Sequence, residues 1–269
     1  MAGINTTRSQ TTIDRENPFK HNWLVSALWL LVVCYVVYSF NAMDLSWGRI
    51  NDGLGHASDL LARMVPPNFS RWSLLLGGLI ESLEIAVISS ICGIFISLFL
   101  GLFAARNLMP SWISTPVRAL IALCRTFHPV IIAILFVKSV GFGALAGILT
   151  LVVASIGFIA KLFAEAIEEI SLKQVEAIRA TGAGFTSIIL FSVMPQVFAR
   201  FIGFSTYQLD SNLRNSTMVG IVGAGGLGGT LFSAFQRFDY DFVAAILIVI
   251  IALIMFGEFL SNIVRRIFR

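Results

Sequence analysis

The sequence contains little charge: 13% of its 269 residues are Asp, Glu, Lys or Arg, against roughly a quarter in soluble domains. With 57% hydrophobic residues beside them, so few charges cannot cover the surface of a water-soluble domain. Apolar runs of about 20 residues, the length that crosses a bilayer, recur along the chain. We therefore expect an all-α, polytopic membrane protein with about six transmembrane helices.

Cysteine is also scarce, which argues against metal and disulfide chemistry. Cys34, Cys92 and Cys124 each lie within an apolar run, without a C-x-x-C motif or a histidine at ligand spacing. We interpret them as small buried hydrophobic residues and expect no metal site. The chain also lacks a dense basic block interleaved with aromatic residues, so its net charge of +4 does not predict nucleic-acid binding.

Nucleotide-binding and catalytic signatures are absent or incomplete. No lysine follows a glycine, so there is no Walker A motif, and we expect the chain itself to bind no ATP or other cofactor. The run GIVGAGGLGG (220–229) contains G-x-G-x-x-G, but it lies between two apolar spans and lacks the acidic residue expected about 20 positions on. The 3 histidines lie in different predicted environments, so we expect no enzyme activity.

The predicted spans define the domain organisation. Candidate spans lie near 23–41, 85–105, 118–137, 143–161, 195–214 and 242–264. If the amino end is cytoplasmic, the segments on the cytoplasmic side contain more Lys and Arg than the segments on the outer side, as cytoplasmic segments usually do. Both termini are therefore predicted to be cytoplasmic. The other parts are a cytoplasmic segment 1–22, a retained extra span 23–41, a periplasmic loop with the entry to the second span at 42–84, a permease core 85–264 and a cytoplasmic tail 265–269.

The inner segment 162–194 is the most informative loop. Its start, KLFAEAIEEI, places the apolar residues on one helical stripe and the glutamates on a solvated face. Ser171 and Gln174 have the S-x-x-Q spacing of a capping box, which predicts the start of a new short helix. That helix should end at Gly182 in a left-handed conformation, and Pro195 is tolerated near the first turn of the following span.

The short helix carries a family resemblance. EAIRATG and the later Pro195 resemble the E-A-A-x-x-x-G-x9-I-x-L-P signature of bacterial ABC importer permeases, with departures at Ile178, Ser192 and Met194. The resemblance implies a type I ABC importer permease fold whose short helix docks on an ATPase subunit. An ordinary amphipathic surface loop is the alternative. The implied ATPase-coupling residues are Ser171, Gln174, Glu176, Ala177, Ile178, Arg179, Ala180, Gly182 and Pro195.

A narrower resemblance concerns most of residues 66–264. YQLDSNLRNSTMVGIVGAGGLGGTL, FVKSVGFGALAGIL and SIGFIAKLFAEAIEEI resemble phosphonate permeases, although His128 lies at or near a position where many members have an acidic residue. The resemblance implies a permease subunit of an ATP-driven importer for phosphonate or a related phosphorus oxyanion. The alternatives are a methionine-type permease, which also contains GAGGLG, and a secondary transporter, whose inverted repeats are not seen in the sequence.

The same resemblance implies the partners and the location. We expect a homodimer in the bacterial inner membrane, with the pathway near the two-fold axis and lipid around it. Two ATPase subunits, which would carry ATP and Mg, should bind inside, and a periplasmic substrate-binding protein should deliver the cargo outside. No nucleic-acid partner is expected.

Polar residues within the spans are costly in the membrane and tend to be functional. Asp210 and Arg214 are four apart and can pair on a helix, with Asn212 on another face. Arg214 either guides an oxyanion or forms only a structural ion pair. Arg125 and His128 either line the pathway, or Arg125 extends to the inner headgroups.

The glycine run has two open interpretations. Gly223, Gly225, Gly226 and Gly228 could form a flexible gate near the outer mouth, since glycine accepts positive φ and lets backbones approach closely. The alternative is close helix packing by small residues. Both interpretations place the glycines among the candidate pathway residues.

Overall fold

A computed structural model describes residues 23–43 and 46–267, and its contacts divide the chain into two units after Asp59. In the first unit, helix α1 (Trp23–Ala42) is apolar along its whole length and buries none of its residues within the chain. Helix α2 (Trp47–Arg63) extends past the boundary and has an exposed apolar stripe that includes Trp47, Ile50 and Leu54. Such amphipathic helices are typical of membrane interfaces.

The second unit contains the other helices in the described ranges, which show no β-strand. They are α3 (Trp72–Ala104), α4 (Ser111–Thr126), α5 (Pro129–Val140), α6 (Ala144–Ser155), α7 (Lys161–Glu168), α8 (Leu172–Ala180), α9 (Phe185–Ile188), α10 (Met194–Val219), α11 (Gly226–Gln236) and α12 (Tyr240–Ile267). Turns of π-helix occupy Ile156–Ala160, Ile189–Val193 and Gly220–Ala224. The predicted all-α class is confirmed.

The helices long and apolar enough to cross a membrane number five within the described residues, or six if one bent pair counts as a span. This agrees with the expectation of about six. The five are Trp23–Ala42, Trp72–Ala104, Ala144–Glu168, Phe185–Ala224 and Tyr240–Arg266, and the bent pair is Ser111–Thr126 with Pro129–Val140.

One predicted span is broken, and another belongs to a helix longer than the predicted span. The span predicted at 118–137 is broken, because α4 and α5 bend by 91° at Phe127 and His128. Proline disfavours helical backbone in the residue before it, and His128, which precedes Pro129, has an extended ψ of 140°. The helix that contains the span predicted at 85–105 begins at Trp72, so the segment 42–84, predicted as a loop and the entry to this span, contains α2 and the first turns of α3.

The bundle has two ends, which contacts between helices identify. At the glycine-loop end, residues 220–226 lie beside Gly143 and the first turns of α3. At the α8 end, Glu168 accepts a hydrogen bond from the backbone amide of Arg106, just after α3. Helices α3, α6–α7 and α12 therefore run from the glycine-loop end to the α8 end, and α4–α5 and α9–α10 return.

Small residues on α3 allow the spans to pack closely. An added Cβ at Gly93 would lie 2.4 Å from the Cβ of Ser155, and one at Gly101 would lie 2.7 Å from the ring of Phe163. Spans in lipid gain little from hydrophobic burial against each other, so close contact between small residues supplies much of their attraction.

The cysteines are not the buried residues that the sequence predicted. Cys34 and Cys92 are exposed on the outer surface of the chain, and Cys124 is half-buried. The prediction was wrong because a span is apolar on its lipid-facing side as well as in its core, so an apolar run does not indicate burial.

Candidate functional site

Helix α8, which carries the resemblance to the coupling motif, projects from the α8 end of the bundle. Val175 is buried and Ile178 half-buried on the apolar cluster beneath, which includes Phe163 and Ile167. The remaining predicted coupling residues of the helix are exposed: Gln174, Glu176, Ala177, Arg179 and Ala180. One side of α8 is therefore anchored and the other is free for a partner.

The start of α8 differs from the prediction, because the capping box does not form. Ser171 occupies the N-cap position, but its side chain makes no capping hydrogen bond. Gln174 is exposed and donates its backbone amide to the Ser171 carbonyl at 3.3 Å. The Ser171 amide instead donates to Oε1 of Gln196 in α10, at 3.0 Å. A glutamine distant in sequence thus takes the part predicted for Gln174.

The end of α8 agrees with the sequence. Gly182 has a φ of +78°, the left-handed conformation that ends helices. Gly184 precedes α9 and has a φ of −70°, a conformation that any residue can adopt. Pro195 lies in the first turn of α10, as predicted.

A second contact joins α10 to the segment before α8. Arg200, one turn after Gln196, forms an ion pair with Glu169 on the surface of the bundle. Gln196 also donates to the Ser192 carbonyl at 2.9 Å, which fixes the orientation of its side chain. Residues 169–171, just before α8, are therefore held to the first turns of α10 by two side chains that the motif does not include.

Along its length, α10 exposes a stripe of side chains spaced three or four residues apart. The stripe consists of Arg200, Gly203, Tyr207, Ser211, Arg214 and Met218, all at least partly exposed. Arginine and other polar groups at membrane depth face water or a partner, because hydrocarbon cannot solvate them. The stripe is thus the strongest candidate for a pathway surface on this chain.

Asp210 and Arg214 form the ion pair that their spacing predicts. The Asp210 side chain is 5% exposed and that of Arg214 is 48% exposed. One carboxylate oxygen of Asp210 pairs with Arg214, while the other is buried without a hydrogen-bond partner. The half-exposed guanidinium retains free donors, so the pair is compatible with both interpretations of Arg214.

Asn212 lies in a polar cluster that the sequence did not reveal. Its Nδ2 donates to Oγ of Ser90 at 2.9 Å and of Ser155 at 3.0 Å, and its Oδ1 accepts from Gln208 at 2.9 Å. These residues join α3, α6 and α10, and Asn212 has no exposed surface. Such burial does not support a place for Asn212 in the pathway lining. The only sequence signal was Gln208, four residues before Asn212.

The glycine run divides into two parts with different roles. Gly223, Gly225 and Gly226 have φ values of 98°, 84° and 73°, which residues with a Cβ rarely adopt. This non-helical loop is held by neighbours: Gly143 donates to the Gly223 carbonyl at 3.0 Å, and the Leu227 amide donates to Oγ of Ser82 at 2.8 Å.

Gly228 belongs to the second part, where helices pack closely. An added Cβ there would lie 1.9 Å from the carbonyl oxygen of Thr217 and 2.9 Å from Cα of Gly220. The run thus combines the two features that the sequence left as alternatives, left-handed glycines and close packing. Helices flank it on both sides, which is not the strand–loop–helix setting of a dinucleotide site.

Arg125 and His128 are at the bend between α4 and α5. The Nδ1 atom of His128 accepts a hydrogen bond from the Val130 amide at 3.3 Å, so this side chain caps α5. Arg125 is exposed and lines a groove toward the α8 end, whereas His128 is not part of that lining. The structure therefore does not bring the two residues into one site.

The chain matches a protein family over most of its described bundle. The family is described as "Binding-protein-dependent transport system inner membrane component", and the match covers residues 97–269. Within the described ranges, no group of three His, Cys, Asp or Glu side chains could hold a metal ion.

Two relatives and one solved structure are similar to the chain. It is 36% identical over 241 residues to the phosphite transport system permease protein PtxC of Stutzerimonas stutzeri, covering 89% of this chain and 86% of that one. It is 39% identical over 240 residues to the phosphate-import permease protein PhnE of Mycolicibacterium smegmatis, covering 87% of this chain but only 43% of that relative's length. A chain of the inward-facing MetNI methionine ABC transporter has a TM-score of 0.66 and 25% identity, covering 75% of this chain and 99% of that one.

Proposed function

Because the chain belongs to the family of binding-protein-dependent transport system inner membrane components, we propose that it forms the pathway for a phosphorus oxyanion in an ATP-driven importer. Helix α8 would dock on a separate ATPase subunit that holds ATP and Mg. A periplasmic binding protein would deliver the cargo at the glycine-loop end. The pathway would lie between two copies of this chain, with both termini in the cytoplasm.

The observation that carries this proposal is the attachment of α8 to α10. Gln196 and Arg200 hold the segment that contains Ser171 and Glu169, and both lie in the first turns of α10. The same helix carries the exposed stripe along its length and ends at the glycine loop. A displacement of α8 would therefore move the helix that carries the candidate pathway surface.

Coupling then follows from rigid helices and a loop with positive φ values. When the ATPase subunits close on ATP, they would shift α8, and α10 would transmit the shift along its length. The loop at Gly223, Gly225 and Gly226 would absorb the change, because its contacts to Ser82 and Gly143 are single hydrogen bonds. Such switching between two packed arrangements is a common mechanism of conformational change.

The proposed cargo rests on chemistry and on relatives. Arg214 exposes part of its guanidinium on the stripe, and this planar group suits oxyanions of phosphorus. The relatives with phosphite and phosphate in their names support this cargo over methionine. The methionine transporter shares the fold, so the fold itself does not select between the two cargoes.

Retention of the ATPase tests the coupling part. The native chain should retain the candidate ATPase during purification from membranes, whereas Glu176→Lys should lose it, since Glu176 is exposed on α8. Gly182→Ala should also weaken retention, because the left-handed φ opposes a side chain by about 1 kcal/mol.

Gly184→Ala is the matched control. It lies two residues away with an ordinary φ and open space around its Cβ position, so retention should be unchanged. The coupling proposal is wrong if the native chain does not retain an ATPase. It is also wrong if the Glu176→Lys variant retains as much ATPase as the native chain does.

Uptake tests the cargo. Vesicles that contain the chain, the ATPase and the binding protein should accumulate a phosphonate or phosphite when ATP is supplied inside. Methionine serves as the competing cargo in the same vesicles. Uptake of methionine without any phosphorus oxyanion would assign the chain to the alternative cargo and leave the coupling result unaffected.

A further inference from the structure

A basic groove of about 470 Å³ opens near the α8 end, between α4, α7 and the end of α3. Its walls combine small apolar side chains with Arg106, Arg118, Arg125 and Lys161. Neither the coupling helix nor the stripe on α10 lines it.

The groove follows from helical spacing on its two main walls. On α4, Arg118 and Arg125 are seven residues apart, two turns along one face. On α7, Lys161 is one turn from Glu165, and both contribute to the opposite wall. At its inner limit, Gly157 allows α4 to approach closely, since a Cβ there would lie 3.1 Å from the backbone nitrogen of Arg125.

The groove has an excess of positive charge. Arg118 is held by Glu168 and by the Ala104 carbonyl, to which its Nε donates at 2.8 Å. Lys161 is 3.5 Å from Glu165, and both side chains are about half exposed. Counting these two carboxylates against the four cations leaves a charge of +2. In the described part of the chain, the guanidinium groups of Arg106 and Arg125 have no carboxylate partner.

Glu168 differs from the prediction for this region, whereas Glu165 and Glu169 are exposed as predicted. The sequence placed all of them on a solvated face, but Glu168 is half-buried, pairs with Arg118 and accepts the backbone amide of Arg106. The prediction was wrong because the loop after α3 folds back on α7. The pair of Arg118 and Glu168 is therefore fixed in the groove, while the guanidinium groups of Arg106 and Arg125 remain available to bind an anion.

The depth of the groove limits what can fill it. Gly157 lies near the middle of the span Ala144–Glu168, and the backbone of Arg125 packs against it, so the basic residues of the groove are attached to backbone from mid-span to the α8 end. Cations at such depth require an anion or water, because hydrocarbon does not solvate them. Basic pockets between spans at the inner face are typical sites for phosphate-bearing headgroups.

We propose that this groove binds a phosphorus oxyanion through Arg106 and Arg125, with Arg118 and Lys161 adding positive potential. The forked guanidinium groups match the oxygens of a phosphoryl group. The anion comes either from the headgroup of an anionic phospholipid or from free cargo at the end of its passage. The free-cargo source rests on the proposed import, whereas the headgroup source rests only on the proposed orientation, with the α8 end at the inner face.

Binding to the purified chain tests this proposal without the ATPase or the binding protein. One arm places the chain in nanodiscs of phosphatidylcholine with and without phosphatidylglycerol. After the chain is extracted from the nanodiscs, native mass spectrometry measures how much phosphatidylglycerol it retains. The other arm titrates inorganic phosphate and methylphosphonate against chloride at equal ionic strength, and follows the midpoint of thermal unfolding. Because neither arm requires transport, failure of the groove and failure of import are separate results.

Whichever probe binds the native chain, phosphatidylglycerol or the free anion, the double variant Arg106→Gln/Arg125→Gln should bind it at least about tenfold more weakly. The single variant Arg125→Lys keeps the charge but loses the fork, so it should show an intermediate loss and also guards against misfolding of the double variant. Arg265→Gln, an exposed basic residue at the same end outside the groove, should bind as the native chain does.

The two arms distinguish the sources. If retention of phosphatidylglycerol depends on Arg106 and Arg125, the groove is assigned to lipid. If free phosphate or methylphosphonate raises the midpoint of thermal unfolding, and this rise depends on the two arginines, the groove is assigned to cargo. If neither probe binds the native chain more tightly than the double variant, or if Arg265→Gln loses as much binding, the proposal is overturned.

Discussion

Oε1 of Gln196 accepts a hydrogen bond from the backbone amide of Ser171, at 3.0 Å and across 25 positions of the sequence. The contact joins the start of α8 to the first turn of α10. Free amides at a helix start need an acceptor, and an acceptor from another helix ties the positions of both. Ser171, at the start of α8, is therefore fixed by the span that α8 is proposed to move.

This relationship predicts that Gln196→Ala weakens coupling. The variant loses the bond from Ser171 and the bond to the Ser192 carbonyl, and should lower the free energy of unfolding by about 1–2 kcal/mol. ATP hydrolysis by the assembled complex should respond less to the loaded binding protein. Gln174→Ala is the control, since the exposed Gln174 side chain holds no cap, and an equal loss in both variants would contradict the assignment.

The glycine run offers a matched pair of adjacent residues. Gly228→Ala should destabilise the protein by about 3 kcal/mol or more, because its Cβ would lie 1.9 Å from the Thr217 carbonyl oxygen and backbone must move. Gly229→Ala should be tolerated, because its nearest neighbour would be at 3.6 Å. Thermal unfolding in detergent measures both, and similar midpoints would show that the run is not packed as described.

The ion pair of α10 should respond unequally to loss of its two members. Arg214→Gln leaves a carboxylate with 5% exposure unpaired and should cost about 3 kcal/mol or more, whereas Asp210→Asn leaves a cation with 48% exposure and should cost less. Chemical unfolding of the purified variants gives the comparison.

The double variant Asp210→Asn/Arg214→Gln separates structure from transport. It should recover most of the stability lost in Arg214→Gln, because no buried charge remains unpaired. Uptake should remain low if Arg214 guides the oxyanion, with a raised KM for the cargo. Native uptake by the double variant would mean that the pair has a structural role alone.

The buried polar cluster should be more sensitive than its exposed neighbours. Asn212→Ala removes the hydrogen bonds that Asn212 donates to Ser90 and Ser155 and the one that it accepts from Gln208, in a site where Asn212 has no exposed surface. Gln208 still donates to Oγ of Ser155 at 3.0 Å, so the variant should cost about 1–3 kcal/mol. Asn215→Ala removes one bond, of 3.3 Å to Ser211 on a half-exposed surface, and should cost less than about 1 kcal/mol. Thermal unfolding measures both variants, and equal losses would contradict the hydrogen bonds described for the cluster.

Local features of the chain were determined by the sequence alone. Hydrophobic runs of bilayer length predicted an all-helical membrane protein, because a span must satisfy its own backbone hydrogen bonds. The spacing of Asp210 and Arg214 predicted their pair, and the position of Gly182 predicted the end of α8, since both depend on residues within about one helical turn.

Contacts distant in sequence were decided only by the tertiary structure. The cap of Ser171 comes from Gln196, the partner of Arg118 is Glu168, and Asn212 meets serines from two other helices. A periodic pattern states which side chains share a helical face, but not which neighbouring helix covers that face. Where helices in lipid are apolar on all sides, that choice depends on small residues and polar contacts that become visible only when the helices are packed.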